Sequence, residues 1–162
     1  RRSHKAKTRA ADYVADLQDD LLETLAELRE TEEEIEEIIE RLRDGEGTLE
    51  ALLEKIGERF LNYAHAIGLL LEFEDLAYAI KTFALFVQQC AHEELTPEQV
   101  RKLIIFTDSI RLDLISWRTT IFVEKSANDI HYLDSSLFSS CLQAQLLLDS
   151  EAADEGGELD LF

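Results

Sequence analysis

The chain has 162 residues and a formal net charge of −19, from 16 Lys plus Arg against 35 Asp plus Glu. That balance argues against nucleic acid or an anionic membrane surface as a direct partner, because both need clustered cations. A hydrophobic content of 46% argues against a disordered chain.

One proline and six glycines leave few breakers, so long helices and an all-α fold are expected. Cys90 and Cys141 show no CxxC spacing and read as small buried thiols of a reducing compartment, with neither a disulfide nor a metal. No signal peptide and no transmembrane run is present, which points to the cytoplasm. The chain has no methionine and reads as a fragment or processed product that lacks an upstream domain.

Residues 4–43 read as one long helix. Val14, Leu21, Leu28, Ile35 and Leu42 recur every seven residues, the seam expected of a coiled coil and hence of a homodimer. Gln18, Thr24, Thr31 and Glu32 dilute that seam. Glu32-Glu33-Glu34 and Glu36-Glu37 read as a solvated face. The other reading is a first helix folded back on the bundle. Asp44-Gly45-Glu46-Gly47 ends the helix, with glycine as terminator.

Thr48 caps a second helix running to about Leu71, whose stripe is Leu49, Leu52, Ile56, Phe60, Tyr63, Ile67 and Leu70. His65 points away from that stripe, with Glu58 and Glu72 at seven-residue distances. Glu72-Phe73-Glu74-Asp75 is either a turn or an exposed patch on a continuous helix. Leu76–Gln89 is helical, with Leu76, Ile80, Phe83 and Val87 inward.

Thr96, Pro97 and Gln99 form a capping box with proline at the first helical position. The helix they start runs to about 125 and buries Val100, Leu103, Ile110, Leu114, Trp117 and Ile121, with a second stripe of Ile104, Ile105, Ile115 and Phe122. Its Asp108, Arg111, Asp113 and Arg118 read as a surface ion-pair ladder. Asn128 or Asp129 caps a last helix to about Leu148, with Ile130, Leu133, Leu137, Cys141, Ala144 and Leu148 inward. The expected layout is a coiled-coil helix over 1–46, an antiparallel four-helix bundle over 47–148 and a disordered acidic tail over 149–162.

Several sets of residues bear on function. An exposed histidine flanked by carboxylates on a helical bundle resembles the histidine-containing phosphotransfer domains of bacterial phosphorelays. That resemblance implies His65 as phosphoacceptor, its imidazole attacking a phosphoryl group carried by an aspartate. The family pattern places lysine three residues after the histidine and glycine four after. Here Gly68 stands at the third position and the lysine is missing.

A di-metal bundle needs Glu-x-x-His pairs. Asn62, Gln89 and Asn128 stand three residues before His65, His92 and His131, so no metal site is expected. Trp117, His131 and Tyr132 form an aromatic and polar corner suited to partner recognition. The terminal Glu158-Leu159-Asp160-Leu161-Phe162 resembles the pentapeptides that bind the replication sliding clamp, and also the acidic tails that bind receiver domains in chemotaxis phosphatases. Leu159, Leu161 and Phe162 are then the docking residues.

The segment AKTRAADYVADLQDDLLETLAEL resembles the helical linkers that follow receiver domains, and WRTTIFVEKSANDIHYLDSSLFSSC and the layout as a whole resemble the helical output region of a bacterial two-component response regulator. The resemblance implies a non-enzymatic, cofactor-free dimerisation and protein-interaction module whose partner is a receiver domain. The alternatives are phosphotransfer through His65 and a purely structural oligomerisation scaffold.

Overall fold

A computed structural model describes residues 7–146, all helical where structure is regular. The elements are α1 (Ala10–Ala15), α2 (Asp19–Arg43), α3 (Leu49–Ile67), α4 (Glu74–Cys90), α5 (Pro97–Arg118) and α6 (134–146). A 3-10 turn at Leu71–Phe73 opens α4, and a π-helical turn at Thr119–Val123 closes α5. Among the described residues no helix is long and apolar enough to cross a membrane.

The single long helix expected over 4–43 is two helices. Asp16 closes α1, with its N–H on the Tyr13 carbonyl and the Leu17 N–H on the Val14 carbonyl, and Gln18 is extended (ψ 152°) before α2 begins. The break lets α1 fold across the end of α5. Ala10 N–H then bonds the Ala127 carbonyl (2.9 Å) and Ile130 N–H the Thr8 carbonyl (2.9 Å).

The seven-residue stripe is used inside the chain, not as a projecting arm. Val14 is buried where α1 packs on the Thr119–Val123 turn, and Leu28 and Ile35 are buried, Leu21 and Leu42 partly so, because α2 packs on α3 and α5. One continuous buried cluster runs from Ala10 to Ala144, across the boundary expected at 46–47. The apolar repeat thus follows from burial of a helix face, and the folded-back reading of the first segment describes the structure.

The stop and start signals act as their chemistry dictates. Past Asp44, Gly45 takes φ +72°, its N–H bonds the Leu42 carbonyl and Glu46 N–H bonds the Arg41 carbonyl. That pair of bonds satisfies the end of α2 and needs a left-handed residue, which glycine supplies without strain. Thr48 accepts from Ala51 N–H (3.3 Å). Thr96 and Gln99 exchange both capping-box bonds (3.1 and 2.9 Å).

Glu72-Phe73-Glu74-Asp75 is a turn running into a helix. α3 stops at Ile67, Phe73 is buried, and α4 starts at Glu74. So short a connection makes α3 and α4 an antiparallel hairpin.

The last helix starts later than expected. Asp129 Oδ1 accepts the His131 N–H (3.1 Å) and shapes a turn through 133 instead of capping a helix. α5 is shorter than expected because Thr119 and Thr120 turn their hydroxyls onto the Ile115 and Ser116 carbonyls (2.8 Å each) and the backbone widens, Glu124 N–H bonding the Thr119 carbonyl (2.7 Å). Leu148 and the expected tail over 149–162 lie outside the described residues.

Candidate functional site

His65 lies in the last turn of α3 and is exposed. The apolar stripe through Phe60, Tyr63 and Ile67 takes the inward face, which leaves position 65 on the outward one. The α3–α4 hairpin then brings residues of α4 across from it. The result is a cleft of about 400 Å³ lined by Leu61, His65, Gly68, Leu69, Tyr78 and Lys81, with Ala64 and Ala77.

Lys81 is the cation that the sequence lacks beside the histidine. It comes from the facing helix, sixteen residues on. Among the described residues no carboxylate lines this cleft: Glu58 and Glu72, set near His65 by spacing alone, are not among its lining residues. Neither His65 nor Lys81 makes a hydrogen bond or ion pair among the described residues. A Cβ on Gly68 would sit 3.4 Å from the Ala64 and His65 carbonyl oxygens and 3.7 Å from Ala77 Cβ, so glycine keeps the cleft floor open.

The cleft rim is apolar and exposed. Leu69 is 50% and Tyr78 72% exposed, and Leu71, in the turn that follows α3, is 81% exposed. Tyr78 also lines a second cleft, of about 430 Å³, between α4 and α6.

The other residues singled out by sequence fall elsewhere. Trp117 is fully buried, its ring edge-on to Phe73 (5.2 Å) and against Phe122 (5.2 Å), so it is core and cannot touch a partner. His131 is exposed, pairs with Asp134 (2.7 Å) and leans on the Phe73 ring (5.0 Å). Burial pushes the Asp134 carboxyl above its usual range, and the bond from His131 opposes that shift. Tyr132 is 45% exposed, and its hydroxyl is tied to Thr120 Oγ1 (2.9 Å) and Ser116 Oγ (3.3 Å). Leu159, Leu161 and Phe162 lie outside the described residues.

The polar set of α5 divides. Asp108 holds Arg111 (2.9 Å) and Arg43 of α2 (3.2 Å), an ion-pair group bridging the two helices. Arg118 turns inward. Its Nε donates to Glu32 Oε2 (2.6 Å) and its Nη2 to Glu32 Oε1 (2.8 Å), with both side chains buried. The Tyr63 hydroxyl donates to the same Glu32 Oε2 (2.7 Å).

The hydrogen bonds that Arg118 donates to Glu32 hold its guanidinium more firmly protonated. Burial, and then the Glu32 charge, push the Tyr63 phenol well above its usual range. Neither Glu32 nor Arg118 therefore belongs to a solvated ladder. Burial also pushes the Cys141 thiol up to about 12, which leaves it unreactive. Among the described residues no cluster of His, Cys, Asp and Glu could hold a metal ion.

Compared with protein-family models, with curated proteins and with solved structures, the chain matches none at a significant level.

Proposed function

We propose that the chain is a non-enzymatic protein-interaction module, an output region of bacterial two-component signalling, that docks a receiver domain at the α3–α4 end. The observation that carries this reading is the exposed apolar rim of the His65 cleft together with the turn that follows α3. Leu69, Leu71 and Tyr78 are left in water by a chain that buries a full core. Grouped exposed residues of this size mark interaction surfaces, where single ones do not. The receiver as partner rests on the resemblance of the first helical segment to receiver linkers. Pairing of protomers through the seven-residue seam gains no support, since that stripe is already covered within the chain.

The test is calorimetric binding of purified receiver domains to the full chain and to a Leu71→Ser/Tyr78→Ser variant. Both positions are exposed, so the variant keeps its helical spectrum while affinity falls at least ~10-fold, the loss expected from removing central apolar anchors. Unchanged affinity, or no binding to any receiver, ends this reading.

A second reading is favoured by Lys81. A ring nitrogen of His65 attacks the phosphorus of a receiver aspartyl phosphate, an N–P bond forms, and the aspartate carboxylate leaves. The Lys81 ammonium stabilises the phosphoryl oxygens through that transfer. Acid-labile phosphoryl label then appears on the wild-type chain and is absent from His65→Gln. Lys81→Ala slows labelling by on the order of 100-fold, as for loss of one charge-stabilising donor. No label on the wild type, or label retained by His65→Gln, removes His65 from the chemistry.

A further inference from the structure

The second cleft has the shape of a seat for a helix. α4 supplies Asp75, Tyr78, Ala79 and Thr82, and α6 supplies Phe138, Cys141, Leu142 and Gln145. Each wall follows the steps i, i+3, i+4 and i+7. That is the pattern a helix presents to another helix laid along it.

The helix α6 is apolar on two sides. Leu137, Cys141 and Ala144 are buried, while Phe138, Leu142 and Leu146, at i, i+4 and i+8, are 36%, 57% and 52% exposed. An amphipathic surface helix needs only the first of these stripes. The second stripe, with Tyr78 opposite, makes an apolar trough two turns long, about 10 Å at the helical rise.

Charge decides the occupant. Among the described residues that line the trough, Asp75 is the only charged one, with no Lys or Arg. Glu72 and Glu74 are exposed at the same end. A second copy of the chain would bring another −19 against that acidic end, which repulsion disfavours.

We infer that the trough between α4 and α6 binds an amphipathic helix of a partner protein, apolar along one face and carrying Lys or Arg at the end that meets Asp75. Anchors at i, i+3 or i+4, and i+7 of that helix fill the space between Tyr78, Phe138 and Leu142, the groove mode of helix recognition. This site shares only Tyr78 with the His65 cleft and does not rest on the receiver reading.

The experiment is fluorescence polarisation with the full chain and labelled 16-residue amphipathic peptides. Leu and Phe stand at the anchor positions, and the flank is Lys and Arg in one peptide and Glu in its control. The basic peptide binds and the acidic control does not. Leu142→Asp, at an exposed position that leaves the fold intact, weakens the basic peptide at least ~10-fold. Asp75→Asn weakens it by no more than about 5-fold, the range of an exposed ion pair. Leu71→Ser leaves it unchanged, so loss of receiver docking and loss of this site are told apart.

Equal binding of both peptides overturns the inference, as does undiminished binding to Leu142→Asp. Concentration-dependent self-association in the ultracentrifuge, abolished by Leu142→Asp, also overturns it and gives the trough to a second copy.

Discussion

Glu32 shares one carboxylate between the Arg118 guanidinium and the Tyr63 hydroxyl, which joins α2, α3 and α5 at a single buried point. Burying two charges costs more than their attraction returns unless nearly every polar atom is bonded. Here the fork of Arg118 meets both carboxylate oxygens and Tyr63 takes a further lone pair. Removing one partner leaves the other charge uncompensated. Arg118→Met is expected to lower unfolding free energy by about 3–5 kcal/mol, and Glu32→Leu/Arg118→Met to recover most of it. Urea unfolding of the single and double variants checks this; equal losses in both would show that the pair is not what the core depends on.

At this scale the sequence was partly legible. Glu32 lies four residues after Leu28 and three before Ile35, both buried, so it stands on the apolar stripe although it opens a run of glutamates. Arg118 likewise falls between Leu114 and Ile121. A charge on an apolar stripe signals a buried partner, whereas the run around it, Glu33 and Glu34, is exposed as expected. Trp117 shows the reverse error. Its place on the stripe was read correctly, and its use as a partner contact conflicts with that same place.

Among the elements, α3 and α4 make the tightest contact, and Gly57 is where they approach. A Cβ there would lie 2.9 Å from the Ala84 carbonyl oxygen and 2.3 Å from Gln88 Cγ. The Gln88 side chain can swing away, but the α4 backbone cannot. Gly57→Ala is therefore expected to destabilise by about 1–3 kcal/mol, although alanine is the better helix former. Thermal unfolding reads the sign: a raised midpoint would mean that the hairpin yields by more than this spacing implies. The caps and stops were readable because each rests on a local bond between named residue types, Thr96 with Gln99, or glycine after Asp44. The break at 16–18 carries no proline or glycine. It exists because α1 has somewhere to pack, and no local pattern records that.

Over the whole molecule, the all-helical class and most of the core were legible from helical periodicity, while the association of helices was not. A seven-residue apolar repeat states that one face is covered. It does not say whether the cover is another chain or the rest of the same one. The His65 cleft shows the same limit. Lys81 is remote in sequence, and it faces His65 only once the turn at Leu71–Phe73 sets the register of the hairpin. With residues 72–75 left open between turn and helix, that register could not be drawn.

The backbone bonds between Thr8 and Ile130 and between Ala10 and Ala127 tie the start of the described chain to the segment that leads into α6. Two backbone hydrogen bonds side by side act as a short splint. Residue 130 stands four positions before α6, and α6 is one wall of the trough, so the first described residues of the chain brace that wall from the far end of the sequence.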